Sequence, residues 1–293
     1  MAKNSGKREP FVEVAIGETS VGKTYQTLKK VFNYVPKIKR PALIVDFQDE
    51  YTKAGCGHDI PSIDMWPNPK KKWRGLIDYT TPTIRRIRPI TKDGKKMSIK
   101  EKGEALGTIL TSFKNGKIVI DDIDKYAVFN TDQEMVGSLM GNRQPGLDII
   151  ITHQSFGVMT TMECRNLQVV RMHHTSDSPM AIKDKLQENL EIMMIAYYIV
   201  KDQYELLHNH RFFMMLNARK KKMWGCTKKT FDIACQKYIF KHKLVKEEIE
   251  ELIFRRVIDP KKKKHHESEE TARKSLMEKL SRYYSDKPVI VNN

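Results

Sequence analysis

No stretch of about eighteen or more consecutive apolar residues occurs in this 293-residue chain, so it offers no helix of the length needed to cross a bilayer. Residues 1–9 lack the apolar stretch of a signal peptide, and a soluble intracellular protein is expected. Cysteine is scarce. The four, Cys56, Cys164, Cys226 and Cys235, have neither the density of a disulfide frame nor metal-ligand spacing, and are read as reduced. The pairs Cys56 with His58 and His173 with His174 lack a companion cluster, which argues against a metal centre built from side chains. His208 and His210 read as ordinary polar residues, and no internal repeat is evident. Acidic charge is also short: 36 Asp and Glu face 53 Lys and Arg, a net charge of +17 that points to a polyanionic partner.

Against these absences stands one complete motif. Gly17, Glu18, Thr19, Ser20, Val21, Gly22, Lys23 and Thr24 form a G-x-x-x-x-G-K-S/T phosphate loop. The glycines let backbone N–H groups curl around a triphosphate, Lys23 reaches its outer phosphates, and the Thr24 hydroxyl is a magnesium ligand. ATP and Mg2+ are therefore the expected ligands. The context fits: the β-branched residues Val12, Val14 and Ile16 predict a strand before the loop. After it, Leu28, Val31 and Phe32 recur at helical spacing from Lys23 onward. The helix N-terminus adds partial positive charge to the phosphate site.

Residues 117–122, Lys-Ile-Val-Ile-Asp-Asp, read as a buried strand ending in two carboxylates, the form of a Walker B strand. Asp121 is the expected magnesium partner through water. Asp122 stands where a carboxylate can polarise the attacking water, although many such enzymes carry the longer Glu there. Further strands are predicted at residues 41–46, 83–88 and 147–152, with helices at 98–114 and 132–142. Strands alternating with helices predict an α/β fold, a doubly wound and mostly parallel sheet, with at least one strand between the two Walker strands.

Several ordered segments resemble the FtsK-HerA group of P-loop ATPases, within the RecA-like ASCE class, and its viral DNA-packaging members in particular. Residues 44–51, Ile-Val-Asp-Phe-Gln-Asp-Glu-Tyr, are similar to the family's strand ending in Asp with Glu-Tyr beyond it. Residues 141–155 resemble its arginine, glycine, apolar strand and terminal glutamine, and residues 167–179 its following strand. The resemblance implies that Gln154 lies near the terminal phosphate, where its amide senses phosphate or orients water; a strand-capping polar residue is the alternative. It implies that Arg143 faces a neighbouring subunit and neutralises charge on the transferred phosphoryl group, against a plain surface arginine. Arg171 is a second candidate for that part, or a residue paired with a carboxylate inside the fold.

The resemblance further implies a homo-oligomeric ring, hexamer or pentamer, moving double-stranded DNA, with a capsid or portal-vertex protein as docking partner. The setting it implies is the host cytoplasm or the virion. A coupling ATPase of a conjugative or mobilisable element, an assembly ATPase of the filamentous-phage type, and a nucleotide-gated nucleic-acid-binding module with little turnover are the competing readings. The chain divides by composition into an ATPase core (1–207), a basic hairpin and helical region (208–260) and a charged tail (261–293), helical or partly disordered. Residues 192–200 read as a core helix or strand, 211–227 as a hairpin, and 230–242 and 245–257 as helices. Seventeen Lys and Arg against six Asp and Glu fall in residues 211–264. Arg219, Lys220, Lys221, Lys222, Lys228 and Lys229 are the nucleic-acid candidates, through phosphate contacts without sequence preference.

Overall fold

The computed structural model describes residues 11–63, 82–88, 90–91, 94–125, 146–241, 247, 249–250 and 269–289. The predicted helices at 132–142 and 245–257, Arg143 and the lysine run 261–264 lie wholly or largely outside these residues.

Among the described residues nine strands form one sheet: β1 (Val12–Ile16), β2 (Ala42–Val45), β3 (Ser62–Ile63), β4 (Ile84–Ile87), β5 (Lys117–Ile120), β6 (Asp148–His153), β7 (Val169–Met172), β8 (Met214–Asn217) and β9 (Lys222–Trp224). Their spatial order is β3-β4-β2-β5-β6-β1-β7-β8-β9. All neighbours up to β7 run parallel, and β8 and β9 close the edge antiparallel. The strand expected between the two Walker strands is β6, which pairs with β1 on one side and β5 on the other. That insertion is the strand order of an ASCE P-loop NTPase.

The sheet is covered on both faces, and alternation along each strand says how. Val12, Val14 and Ile16 face one core with Leu43, Val45, Ile118, Ile120, Ile149 and Ile151. Ala42, Ile44, Val119 and Ile150 face the other, under Leu28, Val31, Tyr34 and Val35 of helix α1 (Lys23–Ile38). Helix α2 (Ile99–Ser112) starts at a capping box in which Ser98 and Glu101 satisfy each other's backbone N–H. The segment left open between helix and strand is helix α3 (Leu190–Glu205), with eight buried residues, Ile192 to Tyr197 plus Ile199 and Val200.

Helices α4 (Lys228–Lys241) and α5 (Glu269–Ser281) pack beyond α3, and of the two readings of the tail the helical one describes residues 269–281. Ala272, Leu276, Leu280 and Tyr283 are buried, and the segment after α5 hydrogen-bonds Met223 from both sides, Met223 N to Tyr283 O at 2.7 Å and Ser285 N to Met223 O at 3.0 Å. A high charge density hid an apolar stripe of one residue per turn. The boundary at 207/208 likewise marks a change of charge, since β8 and β9 continue the same sheet.

Arg171 is the largest fully buried side chain, at 0% exposure on β7. Its Nε lies 3.1 Å from Glu13 Oε1 on β1, and its Nη2 donates to Thr27 Oγ1 of α1 at 2.5 Å. Glu13 also receives Lys30 Nζ at 2.5 Å. These cations hold the Glu13 carboxyl below its ordinary range although burial, the largest single influence, pushes it up. Of the two parts foreseen for Arg171, the carboxylate partner holds, and a guanidinium enclosed in this way cannot reach a neighbouring subunit. Arg171→Leu should destabilise the fold by about 2 kcal/mol, because the buried Glu13 carboxylate keeps only Lys30 of its two close cations and Thr27 loses its donor; urea unfolding of both proteins measures it.

Candidate nucleotide site

The loop after β1 is shaped by two glycines. At Gly17 a Cβ would stand 2.6 Å from the Cβ of His173, so any side chain would push β1 and β7 apart. Gly22 has φ 90°, a left-handed conformation that glycine adopts without strain, and it opens α1 as its N-cap. Gly17 N donates to His153 O at 3.1 Å and Glu18 N to His174 O at 2.9 Å, so the loop hangs from the ends of β6 and β7. Lys23 is buried and directs Nζ into the loop, donating to Gly17 O and, at 2.9 Å, to Glu18 O.

The acid pair follows β5 directly. Thr152 of β6 ties it together: its hydroxyl accepts Asp122 N and donates to Asp121 Oδ1, each at 2.8 Å. Burial first, and then repulsion by Asp122, push the Asp121 carboxyl up to about 6. Asp122 has φ 45°, an unfavourable backbone for a non-glycine residue, held by this bond. Gln154, one residue past β6, donates from Nε2 to Asp122 Oδ2 at 2.8 Å. The phosphate loop, Asp121 and Asp122 line one cleft of ≈ 450 Å³, and Gln154 joins it through Asp122. Thr24 and Asp121 present a hydroxyl and a carboxylate to that cleft, oxygen donors of the kind magnesium takes. A divalent cation there would offset both the burial and the repulsion that raise Asp121. Among the described residues no group of three or more His, Cys, Asp or Glu could hold a further metal.

Residues 44–51 entered the sequence reading as a resemblance, without a part for Asp46, Glu50 or Tyr51, and the rest of the supporting set was missed. Asp46, at the end of β2, accepts Glu50 N at 2.8 Å and Tyr51 N at 3.0 Å, a turn that sets Glu50 into the cleft. Burial first, and then the charge of Asp121, hold the enclosed Tyr51 hydroxyl well above its usual range. Arg86 of β4 donates to Asp46 Oδ2 at 3.0 Å, anchoring this turn. Asp124, His153 and Glu163 form a buried clamp: His153 Nδ1 meets Asp124 Oδ1 at 2.7 Å and Nε2 meets Glu163 Oε1 at 3.1 Å. Asp124 Oδ2 also accepts Gln154 N at 3.0 Å, so the clamp positions the glutamine backbone. Arg211, forty residues beyond β7 in sequence, lines the cleft as well. Glu50 carries a signal in hindsight, an acidic turn after a buried strand like the one at Asp121. His153, Glu163 and Arg211 carry none, since only the tertiary fold brings them to the loop.

The basic candidates lie elsewhere. Val169 pairs with Asn217 and Met172 with Met214, so the turn between β8 and β9 sits at the end of the sheet opposite the phosphate loop. Arg219, Lys220, Lys228 and Lys229 are exposed. Lys221 donates to Glu188 O at 3.1 Å and Asn189 Oδ1 at 2.5 Å, Lys222 to Arg282 O, and Lys228 pairs with Asp232. Lys221 and Lys222 therefore fasten the hairpin to the body of the protein. Among the described residues no helix is long and apolar enough to cross a membrane.

No known family profile matches the chain, and no curated protein is similar to it in sequence. Solved structures resemble it remotely. The genome packaging NTPase B204 from Sulfolobus turreted icosahedral virus 2, in complex with AMP, is 11% identical over 73% of this chain and 96% of its own, with a TM-score of 0.48. The N-terminal domain of zonular occludens toxin from Neisseria meningitidis is 10% identical over 78% of this chain and 91% of its own, at 0.34. A KaiC-like protein from Pyrococcus horikoshii OT3 is 13% identical over 59% of this chain and 76% of its own, at 0.34. The nucleotide site stands on the chain's own residues.

His153 gives the site a pH dependence. Its two carboxylates outweigh burial, which alone would lower it, and raise the imidazole from 6.5 to about 10. The stabilisation from a raised histidine is complete below its unfolded value and is lost as pH climbs through the folded one. Wild type should therefore lose stability between about pH 7 and pH 10, while His153→Gln, less stable at neutral pH, should vary little across that range. Urea midpoints for both proteins through this window are the check.

Proposed function

We propose that this chain is an ATP-hydrolysing motor subunit that moves double-stranded DNA, with viral genome packaging as its setting. The observation that carries the reading is the 2.8 Å bond from Gln154 to Asp122 at the head of the cleft that holds Lys23. It joins a carboxylate able to polarise water to an amide able to report the terminal phosphate, beside a phosphate loop. Asp122 takes a proton from water as the water oxygen bonds the terminal phosphorus and the bond to the bridging oxygen breaks. Lys23 gathers the outer phosphates. Thr24 and Asp121 would hold magnesium, which would supply charge neutralisation on those phosphates.

Arg143 enters the site of the next subunit in a ring of five or six, and a capsid or portal-vertex protein docks the ring in the infected cell. The exposed cations Arg219, Lys220, Lys228 and Lys229 meet the DNA backbone, in keeping with the net charge of +17. The ordered segments that resemble the FtsK-HerA group favour this reading over a coupling ATPase of a mobile element.

ATP hydrolysis measured with and without long duplex DNA, at low and moderate salt, tests it. Wild type should be strongly stimulated by DNA, and Lys23→Ala inactive. Asp122→Asn should bind ATP yet turn over at least about 10²-fold more slowly. Hydrolysis indifferent to DNA would point to an assembly ATPase, and binding without turnover to a nucleotide-gated module. Mixing Arg143→Ala with Lys23→Ala subunits should restore part of the ATPase activity, because each supplies what the other lacks at a shared boundary. No recovery in a proven mixed assembly would remove Arg143 from that part.

A further inference from the structure

The phosphate loop is braced on its β7 side by a segment that the hydrolytic residues do not use. The turn after α3 is closed by Asn209 N to Gln203 O at 2.8 Å and Phe212 N to Asn209 O at 3.1 Å. A stack of rings docks this turn on the loop. Tyr204 lies flat on His174, with centroids 3.6 Å apart and 5° between planes, and takes His210 edge-on at 4.6 Å. His174 Nε2 in turn stands 3.3 Å from the carboxylate of Glu18. Arg211 follows His210 directly.

It stands beside the loop. The Cγ and Cβ of Arg211 lie 3.7 and 3.8 Å from where a side chain on Gly22 would begin. Among the described residues that line the nucleotide cleft, Lys23 and Arg211 are the two cations. Arg211 is exposed and has no hydrogen bond or ion pair among the described residues, so its fork of donors is available. It approaches from the β7 and β8 side of β1, whereas Asp121 and Asp122 approach from β5, two strands away on the other side. A phosphate chain on the loop would lie between them, its terminal group toward the acids and its inner groups toward Arg211. A guanidinium is suited to that place, since its planar N–H groups match phosphate oxygens in pairs.

We propose that Arg211 is a nucleotide-binding residue acting within its own subunit, gripping the inner phosphates from the side opposite the acid pair. The inference rests on the nucleotide reading of the cleft. It makes a distinction that reading does not: Arg211 serves ADP and ATP alike, while Asp122 and Gln154 attend to the terminal phosphate.

Calorimetric titration of the full chain with ADP and with the slowly hydrolysed ATPγS, magnesium present, tests it. Arg211→Ala should weaken both ligands by a similar factor, about tenfold or more, as expected for loss of a hydrogen bond to a charged group. Arg211→Lys should recover part of the loss. The unliganded thermal midpoint should not move, because the side chain is exposed. Unchanged ADP affinity in Arg211→Ala beside a wild type that binds would overturn the proposal and leave the nucleotide site standing. Loss confined to ATPγS would also overturn it, placing the guanidinium at the terminal phosphate. A wild type that binds neither ligand would overturn the reading of the cleft itself.

Discussion

One hydroxyl holds the chemistry of this site together. Thr152 accepts the backbone N–H of Asp122 and donates to the side chain of Asp121, and it can do both because β6 lies beside β5. The two carboxylates are buried and repel each other, and burial first, then this repulsion, raises Asp121. A valine in place of Thr152 would fit the space but remove both bonds, and Asp122 would lose the contact that holds its left-handed backbone. The arrangement therefore depends on the inserted strand. Were β5 beside β1, neither Thr152 nor Gln154 would reach the acids.

Two buried ionic groups make that strand order rigid, one below the loop and one beyond it. Glu13, Lys30, Thr27 and Arg171 join β1, α1 and β7 beneath the phosphate loop. Asp124, His153 and Glu163 join the turn after β5, the end of β6 and the short helix Thr161–Arg165. Buried charges of this kind contribute little net stability when complete and cost much when broken. Their value here is positional: a register slip in β1 or β6 would strand a charge in the core, so alternative pairings of these apolar strands are disfavoured.

How much of this was legible in the sequence depends on the range of the interaction. The phosphate loop, the strand ending in Asp121 and Asp122, and Gln154 at the end of a β strand are local patterns, and the structure brings the first two to one cleft and Gln154 to Asp122. The intervening strand and the buried α3 were readable from apolar runs, although residues 192–200 are too uniformly apolar for their period to separate helix from strand. Long-range pairs were not readable. Thr27 and Arg171 are 144 residues apart, and nothing in either neighbourhood names the other. Composition left residues 269–289 open between helix and disorder, because the charged surface of α5 concealed Ala272, Leu276 and Leu280, which dock it with Tyr283 just beyond.

The basic hairpin and the phosphate loop sit at opposite ends of the same strands, and this separation constrains any account of force. A change at the nucleotide can reach the hairpin through β7, which carries Arg171 beside α1, or through β8, which begins just after Arg211 and ends at the basic turn. The first route is locked by buried ion pairs. The second is not: the turn before β8 is held to the loop by stacked rings and one half-buried contact between His174 and Glu18, interactions that can slide or separate at modest cost. If DNA is gripped at residues 219–220 and 228–229, the four residues of β8 are the direct mechanical link between that grip and the nucleotide. On the motor reading, the compliance of the Tyr204 stack belongs to the mechanism, and stiffness belongs to β1, β6 and β7.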